Sequence, residues 1–120
     1  MISLDGERLA AAAGAEVVRR GGAGGPRRTL IDSLQAREGD LFVGLRGERE
    51  DGGRFAAEAL RGGAWGVLVG AEHARELAGG GEDQRWVLGS DDPLASLQAL
   101  ARHLRDGRDA HGRVLDHALG

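Results

Sequence analysis

Residues 37–45 read Arg37-Glu38-Gly39-Asp40-Leu41-Phe42-Val43-Gly44-Leu45, a polar turn that runs straight into an apolar stretch. A short apolar run bounded by turn chemistry marks a buried strand. Working outward, Trp65–Val69 and Trp86–Leu88 repeat the pattern, and Ala15–Arg19 and Thr29–Ile31 are further strand candidates. Helical spacing lies between them. Residues 54–61 put Phe55, Ala56, Ala59 and Leu60 on one face and stop at Gly62-Gly63. Residues 72–78 form a short helix ended by Gly79-Gly80-Gly81. Residues 5–13 start at a capping Asp5 and end at Gly14. Ser90-Asp91-Asp92-Pro93 is a helix start, and residues 93–105 carry Leu94, Leu97, Ala101 and Leu104 at spacings of three and four. Strands alternating with helices at this pitch predict a single small α/β domain, a mixed and mostly parallel sheet flanked by helices. Residues 106–120 are polar and without a strong period, so the expected division is a domain over 1–105 and a divergent tail over 106–120.

Composition narrows the function classes. The chain has 120 residues, room for one core, with 41% hydrophobic and 29% charged residues, as in a soluble globular protein. A net charge of -3, with arginines interleaved among acids, opposes a nucleic-acid partner, which would need a concentrated basic surface. No cysteine means no disulfide, thiolate nucleophile or thiolate metal site. No apolar run approaches a membrane span, and the opening Met1–Ala10 lacks the basic start of a secretory signal, so no membrane insertion and a cytoplasmic location are expected. All 16 basic residues are arginine. Chemistry that needs a lysine ammonium is therefore outside this chain.

The usual catalytic constellations fail one by one. A phosphate loop needs G-x-x-x-x-G-K-[S/T], and there is no lysine to complete it. Gly21–Gly25 and Gly62–Gly66 read as turns and helix stops. His73, His103, His111 and His117 are scattered without metal-ligand spacing, so no metal is expected; His73 and His103 read as solvent-facing helix residues. Ser33 lacks a nucleophile elbow, and Asp91-Asp92 fit helix capping. One constellation remains: Ile31-Asp32-Ser33 after one strand, and Gly47-Glu48-Arg49-Glu50-Asp51-Gly52 after its neighbour. Ligands in α/β sheets bind at the carboxyl ends of strands, where backbone N–H groups and short polar side chains are free. On chemistry alone, a capped turn beside a solvated loop explains these residues slightly better.

A resemblance shifts that balance. Asp32-Ser33, then Gly39-Asp40-Leu41-Phe42-Val43-Gly44-Leu45, Gly47-Glu48-Arg49, Asp51-Gly52 and Phe55 follow the pattern of the first domain of Mur ligases. Gly63-Ala64-Trp65-Gly66-Val67-Leu68-Val69 and Asp92–Ala101 continue it, so the likeness covers roughly residues 1–105. Within the family, Met1–Leu4 and Leu45–Arg49 look most like the enzyme that adds D-alanyl-D-alanine to a UDP-N-acetylmuramoyl-tripeptide; the enzyme adding the third peptide residue is the close alternative. The resemblance implies a fragment that binds UDP-N-acetylmuramoyl-peptide for peptidoglycan synthesis, with ATP and Mg²⁺ held in a central domain that this sequence lacks. It implies no catalytic residue here, and substrate contacts at Ile31, Asp32, Ser33, Gly47, Glu48, Arg49 and Glu50. Two positions depart: Leu34 stands where the family has Arg, and Gly53 where it has His. The alternative expectation is an interaction or oligomerisation module that has lost ligand binding and self-associates through the face of the 93–105 helix normally covered by the central domain.

Overall fold

The computed structural model describes residues 4–31, 35, 37–45, 55–79 and 85–109, with side chains as far as 105. In chain order the elements are α1 (Gly6–Ala13), β1 (Glu16–Arg19), β2 (Arg28–Leu30), β3 (Asp40–Val43), α2 (Ala56–Arg61), β4 (Gly66–Gly70), α3 (Ala71–Ala78), β5 (Trp86–Ser90) and α4 (Pro93–Asp109). The five strands form one sheet in the order β1-β5-β4-β3-β2. β2 through β5 pair in parallel, with Thr29 opposite Leu41, Phe42 opposite Val67, and Val67 opposite Val87. Only β1 is antiparallel, placing Glu16 opposite Gly89 with an irregularity between Val17 and Arg19. The expected mixed, mostly parallel sheet is thus the architecture observed.

Alternation along the strands divides the core into two halves. Leu41, Val43, Leu68 and Leu88 face Leu9, Ala10 and Ala13 of α1 and Leu100 of α4. Phe42, Val67, Val69 and Val87 face Ala56, Ala59 and Leu60 of α2 and Ala74 of α3. With helices on both faces, β3 and β4 are buried throughout, which is why their sequences are apolar without alternation. Helix ends follow their sequence signals. The Asp5 side chain accepts from Arg8 N–H at 2.9 Å, and Gly14 adopts φ 66° to close α1.

The apolar stripe of α4 differs from the expected one. Leu97, Leu100 and Leu104 turn inward, whereas Ala101 is exposed and Leu94 is 49% exposed. The helix is rotated because Ser96, not Leu94, sits against the sheet. Its hydroxyl pairs with that of Ser90 at 2.6 Å, so a polar residue is accommodated on the buried face. The helix also runs four residues beyond 105, to Asp109.

At the amino-terminal edge of the sheet, Asp40 is fully buried. Its carboxylate accepts from Arg28 Nε at 2.9 Å, Arg27 Nε at 3.2 Å and the Arg37 backbone N–H at 2.8 Å. Burial alone would raise this carboxyl, but the hydrogen bonds from Arg28, Arg37 and Arg27 outweigh it and hold the group below its ordinary 3.8. The partner guanidinium of Arg28 is correspondingly raised, by its hydrogen bond to Asp40 and then by the carboxylate charge. The sign follows from linkage: a depressed folded pKa stabilises above the ordinary value, and that stability is lost as pH falls through the folded one. Asp40→Asn is expected to cost about 1–3 kcal/mol at neutral pH, because both arginines remain half exposed and can rehydrate. Urea unfolding at pH 7 and below pH 3.8 checks this; the difference between variant and parent should shrink at the lower pH.

Candidate functional site

Because β2 to β5 are parallel, the segments that follow Leu30, Val43, Gly70 and Ser90 all leave the same edge of the sheet. This is the edge where α/β sheets present free backbone groups to ligands. Ile31 lies there, directly after β2, with 57% of its surface exposed. Leu45, at the end of the neighbouring β3 segment, packs back against the core cluster that contains Leu41 and Val43. The parallel pairing of β2 and β3 therefore ends both strands at one edge, with Ile31 following one and Leu45 the other. Of the expected substrate contacts only Ile31 is among the described residues; Asp32, Ser33, Gly47, Glu48, Arg49 and Glu50 lie outside them.

The same edge carries a second feature that motif reading does not single out. α3 leaves β4 towards one face of the sheet and α4 leaves β5 towards the other. Such a divergence opens a crevice between the two strand ends. A cavity of about 320 Å³ lies at the β5–α4 corner, lined among the described residues by Asp91, Asp92, Pro93 and Leu94. Its floor is set by hydrogen bonds at the β5–α4 corner. Asp92 N–H donates to Ser90 Oγ at 3.1 Å, and Ala95 N–H donates to Asp92 Oδ1 at 3.1 Å. Asp92, rather than Ser90, is thus the helix cap. The sequence signal for this corner, Ser-Asp-Asp-Pro, marks the helix start but not the crevice beside it.

Elsewhere the described residues assemble no reactive centre. No group of three or more His, Asp or Glu side chains that could hold a metal ion occurs among them. His103 is exposed as expected, whereas His73 is half-buried and partnered, not solvent-facing. His111 and His117 lie outside the described residues. Gly62 and Gly63 end α2, and Gly63 has φ 99°, so the stop predicted there is a turn of the chain. No helix among the described residues is long and apolar enough to cross a membrane.

Comparison with known proteins places this geometry in context. No protein-family model matches the chain. Among curated proteins, it is 50% identical over 54 residues to the UDP-N-acetylmuramoyl-L-alanyl-D-glutamate–2,6-diaminopimelate ligase of Parasynechococcus marenigrum, covering 43% of this chain and 11% of that protein. It is 38% identical over 78 residues to the enzyme of the same name from Pseudomonas aeruginosa, covering 65% of this chain and 14% of that protein. Among solved structures, MurF ligase from Thermotoga maritima, determined with ADP, is 31% identical with a TM-score of 0.55 over 68% of this chain and 17% of that one. The UDP-N-acetylmuramoylalanyl-D-glutamyl-2,6-diaminopimelate–D-alanyl-D-alanyl ligase of Acinetobacter baumannii has a TM-score of 0.67 over 86% of this chain and 22% of that one. At 23% identity, the latter speaks for the fold alone. The chain thus spans between about a tenth and a fifth of the length of these relatives.

Proposed function

We infer that this chain is the nucleotide-sugar-binding domain of a Mur ligase and holds the UDP-N-acetylmuramoyl-peptide substrate at the carboxyl edge of β2 and β3. The observation that carries this reading is convergence: sequence similarity and fold similarity, found independently, lead to ligases of the same biosynthetic class. The parent reaction is ATP-dependent amide-bond formation in peptidoglycan synthesis. In it this domain contributes positioning, the conversion of an encounter into a held geometry, rather than bond chemistry. ATP and Mg²⁺ belong to the ligase's central domain, since a phosphate loop needs the lysine that this chain does not contain. The backbone at Ile31 and the hydroxyl of Ser33 meet the uridine diphosphate end. Asp32 and the loop at Gly47, Glu48, Arg49 and Glu50 line the same pocket. The location proposed is the cytoplasm, where the nucleotide-activated substrate is used.

The peptide carried by the substrate is a finer question. Sequence similarity favours the diaminopimelate-adding ligases, whose name specifies an L-alanyl-D-glutamate acceptor. The opening residues and Leu45–Arg49 favour the ligase that acts one step later, on the tripeptide. Both substrates share the UDP-N-acetylmuramoyl group, which is the part this domain reads.

Titration with UDP-N-acetylmuramoyl-dipeptide and -tripeptide, with UDP and ATP as comparisons, followed by heteronuclear NMR, tests the proposal. Shifts centred on Ile31, Ser33 and Glu48–Glu50, reproduced in part by UDP and absent with ATP, are expected. The stronger of the two peptides identifies the parent reaction. No shifts at millimolar nucleotide-sugar would reject substrate binding. That result would favour an interaction module, for which exposed Ile31 and Leu94 on one edge provide the apolar contacts.

A further inference from the structure

The chain between β1 and β2 crosses beneath the amino-terminal edge of the sheet, from one edge strand to the other. Its ends are held by packing and its middle by hydrogen bonds alone. Gly21 lies so close to the Trp86 backbone that a Cβ there would fall 2.5 Å from the Trp86 nitrogen, and Pro26 is fully buried. Gly22, Ala23 and Gly24 are exposed and bury no apolar side chain. Two indole N–H groups hold this middle: Trp86 Nε1 donates to the Gly22 carbonyl at 2.7 Å and Trp65 Nε1 to the Gly24 carbonyl at 3.2 Å. An exposed ion pair between Glu7 and Arg20 stands at the strap's start, beside a cavity of about 280 Å³ lined by Asp5, Glu7, Arg20 and the strap itself.

We propose that residues 22–24 form a latch that opens as a unit, without unfolding the sheet, and releases both indole N–H groups together. Glycine regains more backbone freedom on release than any other residue, and two of these three residues are glycine. Against that stand two partly buried hydrogen bonds and no hydrophobic burial in the middle of the strap. The exposed ion pair adds little. Segments with few buried contacts and exposed hydrogen bonds are the ones that open below the global transition. The tryptophans themselves stay in place when the strap leaves, because their backbone N–H groups are held inside the domain. Trp65 N–H donates to the Asp40 carbonyl at 2.8 Å and Trp86 N–H to the Trp65 carbonyl at 3.2 Å.

Each tryptophan thus carries its own control. Hydrogen exchange on the whole chain, followed by NMR, compares its indole Nε1–H with its backbone N–H. Both indole protons are expected to exchange at matched rates, roughly a hundred-fold faster than the backbone N–H groups of Val67, Val87 and Leu88. Low urea should leave indole exchange unchanged while accelerating exchange in the sheet. Indole protons as slow as the sheet amides, with the same urea dependence, would overturn the proposal. So would two indole rates that differ by more than about ten-fold, since the strap would then not move as one unit.

Discussion

Trp86→Ala is expected to lower the unfolding free energy by about 3–5 kcal/mol, the range for removing a large aromatic from a core. The reason is the number of elements that meet on this one ring. It stacks on Trp65 with centroids 5.6 Å apart and planes 16° from parallel. Gly6 of α1 approaches it so closely that it could not carry a Cβ without a clash, and Gly66 of β4 lies as tightly against the Trp86 backbone and Cβ. Its indole N–H reaches the strap at Gly22. Removing it therefore leaves a cavity bordered by backbone, which cannot collapse as flexible side chains can. Domains of this size are stable by about 5–15 kcal/mol, so the variant would keep only part of its stability. Urea unfolding followed by far-ultraviolet circular dichroism measures the loss. A change below about 1 kcal/mol would mean that the ring is not the keystone described.

Gly6→Ala should show the same packing from the opposite side, and with a reversal of sign. In a helix, alanine is better than glycine by about 1 kcal/mol. Here a Cβ at position 6 would lie 2.4–2.5 Å from three atoms of the Trp86 ring, so the substitution is expected to destabilise by about 1–3 kcal/mol. In the Trp86→Ala background the obstacle is gone, and the same change should become neutral or stabilising. The double-mutant cycle then returns a coupling of about 1–3 kcal/mol. Additive effects would show that helix α1 does not rest on the ring.

Much of this architecture is legible in the sequence because its signals are local. Leu41–Val43 and Val67–Val69 are apolar without alternation since helices cover both faces, and Asp5, Gly14, Gly62 and Pro93 mark ends by their own backbone chemistry. What escapes local reading depends on register. Asp40 belongs to a turn by sequence, yet its role as a buried anchor comes from β2 lying beside β3, which brings Arg27 and Arg28 to it. The inward face of α4 is misjudged from spacing alone, because Ser96 is buried through a partner, Ser90, on another element. The two tryptophans stack because Gly66 pairs with Trp86, a pairing no periodicity contains. For the site, residue chemistry favours a cap at Asp32 and Ser33 slightly over a contact. The contact reading rests on resemblance to a family, and the fold adds that β2 and β3 end at the same edge of the sheet.

The strand order also fixes when the domain can be finished. β2, β3, β4 and β5 are neighbours in space as in sequence, so each can add to the last as it is made. β1 has a single partner, β5, with Glu16 opposite Gly89. Its docking closes a loop of nearly the whole domain, the kind of contact that costs most chain entropy and slows folding. During synthesis the first strand made is consequently the last one placed, and α1, which leans on β1 and α4, waits with it. Until β5 leaves the ribosome, the amino-terminal segment is an apolar helix and strand without a partner, the state in which a nascent chain most needs a chaperone.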